Sequence, residues 1–164
     1  MRIYFIRHAI AEDREQFALE DHLRPLSEAG RAKAKKLFRI YRQLLPDLSR
    51  IYTSEATRAK QTAQLLSEAF KGAAITTAKE LNPGADYDDF KRLLKQMDFT
   101  EGRSVAVVGH EPDFSTILGE VLCSGVLYLE VKKASLIEVE IGLDGRGILK
   151  NLLSPKLALQ LKKG

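Results

Sequence analysis

The chain has 164 residues, of which 45% are hydrophobic and 29% charged, a composition that indicates one globular domain over 1–164 and excludes a disordered or fibrous protein. Its net charge of +4 favours anionic substrates but is too small an excess to indicate a nucleic-acid partner. One cysteine and three histidines exclude an internal disulfide and argue against a structural zinc site.

The N-terminal segment does not have the form of a signal peptide. Its apolar run over 3–6 is short and is followed at once by Arg7 and His8. No apolar stretch approaches the ~20 residues that a membrane helix needs. We therefore expect a cytoplasmic protein without a membrane partner. Cys123 follows two apolar residues and is interpreted as a small buried side chain.

The first half of the chain is predicted to alternate between strands and helices. A long amphipathic helix begins at Ser27 and is ended by Pro46, and the basic residues along it are interpreted as a solvated face rather than as a nucleic-acid patch. The other predicted elements are a buried strand over 2–7, a loop over 9–26, a strand over 50–53, a helix over 55–70 ended by Gly72, and a brief strand over 74–78.

The second half is predicted to end in strands. Its elements are a helix over 86–97, a strand over 104–108, a helix from Pro112 to about Leu122, and strands over 127–132, 134–141 and 146–152, the last two joined by a hairpin loop over 143–147. Strands that alternate with helices predict an α/β fold, a single-domain three-layer α/β/α sandwich with a mostly parallel central sheet and a β-rich C-terminal end.

Histidines stand at the carboxyl ends of two predicted strands, which is where ligands bind in open α/β sheets. Arg7 and His8 end the first strand, and His110 ends the fourth. Ser54 follows the second strand and leads into a helix that carries Arg58. A lone histidine at a strand end is usually an ordinary polar residue, but two such ends beside a strand-to-helix junction are harder to ascribe to chance.

Two histidines and two arginines in one pocket suit phosphoryl transfer. A neutral imidazole is a competent nucleophile toward phosphorus. Arginine donates paired hydrogen bonds to a phosphoryl group, and fixed cations stabilise the charge on its oxygens during transfer. Nothing in this scheme needs a metal ion or another cofactor, so we expect none.

Three segments resemble the histidine phosphatase superfamily, in that family's order and spacing. Residues 6–9, Ile-Arg-His-Ala, resemble its Arg-His-Gly signature, and residues 54–63 resemble its Ser-x-x-x-Arg-Ala-x-Gln-Thr-Ala segment. Residues 108–112, Val-Gly-His-Glu-Pro, resemble its second-histidine segment. The small size, the alanine in the first motif, and the segments over 23–30 and 80–83 make the chain most similar to the SixA-type phosphohistidine phosphatases. The resemblance implies a phosphoglycerate mutase-like fold.

Roles for individual residues follow from this resemblance. It implies that His8 is the phosphorylated nucleophile and that Arg7, Arg58 and His110 hold the phosphoryl oxygens, with Ser54 as a further substrate-binding candidate.

Two carboxylates compete as the proton donor. Glu80 falls where the superfamily often keeps that donor and is preferred, whereas Glu111 adjoins His110 and is also a candidate for binding substrate. Glu12 and Asp13 stand where many relatives have an asparagine that touches phosphate, so the resemblance does not supply that contact.

Short segments between the motifs leave no room for a large lid, so the predicted pocket is open. An open pocket admits a phosphorylated side chain on another protein. We therefore expect hydrolysis of phosphohistidine on a histidine phosphotransfer domain, with phosphate or other anions bound in the pocket. The alternatives are a phosphatase for a small phosphoester such as a nucleotide or sugar phosphate, an idle phosphate-binding module, and, as the weakest, a phosphoglycerate mutase.

Overall fold

The computed structural model describes residues 1–45, 48–97, 104–142 and 144–161. Within these ranges the chain forms six strands and five helices. In chain order they are β1 (Arg2–Arg7), α1 (Glu28–Leu44), β2 (Arg50–Thr53), α2 (Thr57–Ala69), β3 (Ala74–Thr77), α3 (Tyr87–Leu94), β4 (Ser104–Gly109), α4 (Asp113–Cys123), β5 (Leu136–Ile141), β6 (Gly147–Leu153) and α5 (Pro155–Leu161).

The six strands form one sheet in the order β3-β2-β4-β1-β5-β6. The first four strands of that order are parallel, and β5 and β6 add two antiparallel pairs at one side. β4 is buried along its whole length, as expected for a continuous apolar run in a central parallel strand. The predicted mostly parallel sheet with a β-rich C-terminal end is confirmed.

Helices cover both faces of the sheet. Tyr4 and Ile6 of β1 join a core cluster with side chains of α1, α2 and α5, whereas Ile3 and Phe5 join a second cluster with side chains of α3 and α4. Successive strand residues point to opposite faces, so one apolar strand supplies both clusters. The predicted three-layer α/β/α sandwich is confirmed.

Local signals in the sequence set several boundaries. The Ser27 side chain accepts a hydrogen bond from the Gly30 N–H at 3.0 Å and caps α1, as predicted. That helix ends at Leu44, and the predicted stop at Pro46 lies outside the described residues. The hairpin loop between β5 and β6 lies where it was predicted, although Leu143 is also outside the described residues.

Two predictions about chain segments are wrong. Residues 127–132 are not a strand: Leu127, Leu129 and the buried Val131 pack alternately on the core, but β5 occupies the free edge of β1. The helix predicted over 86–97 starts at Tyr87 and ends at Leu94, where tighter backbone hydrogen bonds replace it.

Helix α5 was not predicted, although Ser154 followed by Pro155 is a helix-start signal.

Cys123 is exposed rather than buried. The buried face of α4 includes Phe114, Ile117, Leu118 and Val121. Cys123 comes nine positions after Phe114, which is two and a half helical turns and therefore the opposite face. No helix in the described part of the chain is long and apolar enough to cross a membrane.

Candidate active site

The sheet brings the two predicted histidines to one edge. Arg7 of β1 is paired with Gly109 of β4, so His8 and His110 follow at the same level. The His8 N–H donates to the Gly109 carbonyl at 3.0 Å, and the two imidazole centroids lie 5.1 Å apart. Ser54 joins them, because its N–H donates to the Val108 carbonyl of the neighbouring strand at 3.0 Å.

His8 is held as a neutral ring with one free nitrogen. The side chain is 3% exposed, and its Nδ1 lies 2.8 Å from the Ala9 carbonyl oxygen. A carbonyl oxygen can only accept, so Nδ1 carries the proton and Nε2 carries the lone pair. Burial, reinforced by the positive charges of Lys133 and His110, lowers the pKa of His8 to about 2. The arrangement presents an unprotonated Nε2 at neutral pH.

Two arginines of the site lie at this edge of the sheet, Arg58 buried and Arg7 half-buried. Arg58, in the first turn of α2, donates from Nη1 to the Asp21 carbonyl at 2.7 Å, and its Nη2 forms an ion pair with the Asp21 carboxylate at 3.0 Å. Arg7 donates from Nη1 to the Val131 carbonyl at 2.6 Å. The Nε atoms of both arginines are buried and have no hydrogen-bond partner among the described residues. Buried donors of this kind call for an acceptor, and an anion beside His8 would provide it.

Asp21 is a positioning residue that the sequence analysis missed. Its carboxylate accepts from Arg24 at 3.0 Å as well as binding Arg58. Partial burial alone would raise the pKa of Asp21, but the Arg24 hydrogen bond and the charge of Arg58 outweigh it and lower that pKa. Asp21 lies in the irregular segment over 9–26, where no periodicity or motif distinguishes it.

The tautomer of His110 follows from a chain of four side chains. Asn82 donates from Nδ2 to the Glu55 carboxylate at 2.7 Å and accepts the Glu55 N–H at Oδ1 at 2.8 Å, which fixes its amide orientation. Ser54 therefore donates its hydroxyl proton to Asn82 Oδ1 at 3.1 Å, and its Oγ accepts from His110 Nε2 at 2.9 Å.

The neutral His110 ring is thus protonated at Nε2 and has its lone pair at Nδ1. Burial, with the charges of Arg58 and Lys133, lowers the pKa of His110 to about 3.

The two candidate proton donors have different surroundings. Glu80 is buried in a short 3-10 turn and accepts from the Gln96 amide at 3.3 Å; no hydrogen bond joins it to either imidazole within the described ranges. Glu111 accepts the Ser115 hydroxyl proton at 2.6 Å, and its other oxygen is buried without a partner there. Burial raises the pKa of Glu111, while the Ser115 hydrogen bond and the charge of Arg7 oppose that shift. Glu111, not Glu80, therefore interacts with an arginine of the site.

The remaining motif residues tie the loop after β1 to α2. The Thr62 hydroxyl accepts the Ala9 N–H at 3.0 Å and donates to the Arg58 carbonyl at 2.7 Å. The Asp13 carboxylate accepts the Glu15 N–H at 2.9 Å, and the Glu12 carbonyl accepts from Arg24 at 2.7 Å, so both contacts lie within the loop itself.

Lys133 is the second residue that the sequence analysis missed. It precedes β5, and its Nζ lies 3.1 Å from His8 Nε2. Lys133 falls between two segments that were predicted as strands, 127–132 and 134–141, and no motif distinguishes it from the adjacent Lys132. In the described ranges, no group of three or more acidic, histidine or cysteine side chains could hold a metal ion.

Comparisons with known proteins agree with this geometry. A family model described as histidine phosphatase superfamily (branch 1) matches residues 3–93. An uncharacterised protein of Picosynechococcus sp. is 33% identical over 144 residues, which cover 87% of this chain and 86% of that protein.

Solved structures share the fold over almost the whole chain. The protein histidine phosphatase SixA complexed with tungstate has a TM-score of 0.84 at 20% identity, covering 95% of this chain and 98% of that one. A candidate SixA phosphohistidine phosphatase from Agrobacterium tumefaciens has a TM-score of 0.73 at 28% identity, covering 94% and 98%. The α-ribazole phosphatase from Shigella flexneri has a TM-score of 0.73 at 16% identity, covering 94% and 97%. The chain therefore belongs to the histidine phosphatase superfamily, branch 1, as a phosphatase with a SixA-like fold.

Proposed function

We propose that this chain hydrolyses phosphohistidine displayed on another protein, with His8 as the covalent nucleophile. The observation that carries the proposal is the unprotonated Nε2 of His8, at the same sheet edge as Arg7 and Arg58, whose buried Nε–H donors have no hydrogen-bond partner in the part of the chain that the structure describes. A nucleophile next to unpaired cationic donors suits an incoming phosphoryl group.

Binding of the phosphoryl group changes the charge balance of the site. The phosphoryl oxygens accept hydrogen bonds from Arg7 and Arg58, whose buried Nε–H groups have no partner among the described residues. The anion also favours the protonated form of His110, because its charge opposes those of Arg58 and Lys133, which together with burial lower the pKa of His110. A protonated His110 donates from Nδ1 to a phosphoryl oxygen while its Nε2–H stays on Ser54.

Transfer proceeds in two displacements. In the first, the lone pair of His8 Nε2 forms a bond to phosphorus as the bond between phosphorus and the substrate nitrogen breaks, and that nitrogen keeps the electron pair. The positive charge that develops on the His8 ring is stabilised because Nδ1–H donates to the Ala9 carbonyl. In the second, water attacks phosphorus, the bond to Nε2 breaks, and phosphate leaves. Fixed cations stabilise the equatorial oxygens in both steps.

Three features support a phosphohistidine substrate. A phosphorylated imidazole can take a ring proton from solvent and leave as a neutral group, which lessens the need for a buried acid. The segments between the motifs are short. A cleft of about 490 Å³ adjoins Lys133 and is also lined by Lys33, Lys132 and Lys156, so an acidic protein surface would be attracted there.

A small phosphoester is the second candidate. It is favoured by the α-ribazole phosphatase fold match, since that fold accommodates a phosphatase so named. The test compares kcat/KM for a phosphorylated histidine phosphotransfer domain, a small phosphoramidate and p-nitrophenyl phosphate, with His8→Asn as the inactive control. We expect kcat/KM to be highest for the phosphorylated histidine phosphotransfer domain. A higher kcat/KM for the phosphoester would favour the second candidate.

A further inference from the structure

Hydrogen bonds of the residues before and after Lys133 hold its segment against the end of β1. Before Lys133, the Val131 carbonyl accepts from Arg7 Nη1 at 2.6 Å. After it, the Ala134 N–H donates to the Arg7 carbonyl at 3.0 Å, and the Ala134 carbonyl accepts the Tyr41 hydroxyl proton at 2.8 Å. Ala134 has a φ of 62°, a left-handed conformation that is uncommon for alanine. The backbone therefore holds Lys133 at the catalytic edge.

The ammonium of Lys133 occupies the approach to the nucleophile. Its Nζ lies 3.1 Å from His8 Nε2, and that nitrogen carries the lone pair. A reacting phosphorus must come to roughly 3–3.5 Å from the attacking atom, along its lone pair. The position of Nζ is thus close to the position that the phosphoryl group must take.

We propose that Lys133 is a third cation of the phosphoryl site, which donates to the His8 lone pair before substrate binds and moves aside to bind a phosphoryl oxygen during transfer. The inference rests on the proposed role of His8 as nucleophile. In this scheme Lys133 exchanges no proton: the bond that forms is between His8 Nε2 and phosphorus, and the leaving group keeps its electron pair. Lys133 is then a catalytic residue, since it touches the reacting group.

The surroundings of Lys133 lower the pKa of its ammonium group. Burial, followed by the charges of Arg7 and Arg58, lowers the pKa of Lys133 to about 8. The charged and titratable groups around it are His8 and Arg7 at the end of β1, Asp21 and Arg24 in the loop, Arg58 of α2, His110 after β4, and Glu130 and Lys132 on its own segment.

The sign of the resulting pH dependence follows from this pKa. The ammonium is present below about pH 8 and is lost above it, so binding of an anion weakens as pH rises through that value. Because kcat/KM reports ionisations of the free enzyme, it should fall on the alkaline side with the same midpoint.

The test uses Lys133→Met and Lys133→Arg, with Lys150→Met as the control. Lys150 is an exposed lysine of β6 that forms an ion pair with Glu140, and Glu140 is paired with Arg2 at the end of β1 away from His8. A charge-assisted hydrogen bond predicts that Lys133→Met lowers both kcat/KM and the affinity for inorganic phosphate by about 10- to 100-fold at pH 7. Lys133→Arg should keep most of both quantities and move the alkaline fall above pH 9, since arginine stays charged. Lys150→Met should change neither.

The two readouts separate this inference from the proposed function. Phosphate affinity, measured by calorimetry, needs no turnover, so it tests Lys133 even if no substrate is hydrolysed. Normal phosphate affinity in a folded Lys133→Met with wild-type activity would overturn the inference and leave the role of His8 intact. Persistence of the fall near pH 8 in Lys133→Arg would overturn it as well. Equal losses in Lys150→Met and Lys133→Met would overturn it too, since they would show that general positive charge, rather than the contact with His8, is responsible.

Discussion

Acid should destabilise this protein through its two buried imidazoles. In the folded chain the pKa of His8 is about 2 and that of His110 about 3, whereas an unfolded histidine has a pKa of about 6.5. Below pH 6.5 the two imidazoles bind protons in the unfolded chain but stay neutral in the folded chain. The free energy of unfolding therefore falls as pH falls, until the folded pKa values are reached. At pH 5, which is 1.5 pH units below the unfolded pKa, each imidazole should cost about 2 kcal/mol.

The measurement is the free energy of unfolding by urea at pH 7.5 and at pH 5. The loss of unfolding free energy between pH 7.5 and pH 5 should be smaller by about 2 kcal/mol in His8→Gln than in wild type, because glutamine does not titrate. His110→Gln should reduce the loss by the same amount. His22→Gln is the matched control, since the His22 side chain is 60% exposed and lies on the surface beside Glu20. If the unfolding free energy of His8→Gln falls between pH 7.5 and pH 5 by as much as that of wild type, His8 is not held neutral. The argument for His8 as the nucleophile would then lose its basis.

Four further results are expected. Arg58→Ala should lower kcat/KM by roughly 10²–10³-fold, the scale of one preorganised donor, with only partial recovery in Arg58→Lys; full recovery would mean that charge alone matters. Glu111→Gln should reduce turnover of an alkyl phosphoester by roughly 10²–10⁴-fold and that of phosphohistidine far less; the same split in Glu80→Gln instead would make Glu80 the proton donor. Asn82→Ala should lower kcat/KM by about 3- to 10-fold, since it frees the Ser54 hydroxyl from its acceptor, and an unchanged value would mean that His110 needs no such support. EDTA should leave activity intact, and recovery of lost activity by magnesium would contradict the metal-free scheme.

The parts of the site that the sequence could predict are those fixed by strand geometry. Parallel strands end at one edge, so a histidine after β1 and another after β4 must lie close together once the strands are neighbours. Arg58 was predictable for the same reason, because it stands one turn beyond the strand-to-helix junction at Ser54. The same regularity made the sheet and most helices predictable from apolar periodicity.

The parts that were missed depend on irregular backbone. Asp21 reaches Arg58 from a loop whose path no periodicity encodes, and Lys133 reaches His8 through the left-handed turn at Ala134. The segment before that turn has the alternating pattern of a strand, and it lacks one because β5 occupies the available edge of β1. Which strand takes an edge is a competition across the whole sheet, and a local pattern cannot decide it.

The preference for Glu80 over Glu111 as the proton donor stays a prediction. Adjacency to His110 favours Glu111, whereas position in the family motif favours Glu80. The structure adds that one Glu111 oxygen is buried without a hydrogen-bond partner among the described residues and that the charge of Arg7 acts on Glu111, while Glu80 accepts from Gln96.

A covalent phosphoenzyme on His8 is the central claim, and a single-turnover experiment tests it most directly. Enzyme in excess is mixed with a phosphorylated histidine phosphotransfer domain, quenched with base to preserve nitrogen–phosphorus bonds, and mapped by mass spectrometry, with His8→Asn as the control. We expect a phosphoryl group on His8, at Nε2, that forms and decays no more slowly than turnover and is absent from the control. Phosphate release at the normal rate with no phosphorylated His8 at any time, or with the label on His110, would contradict the account.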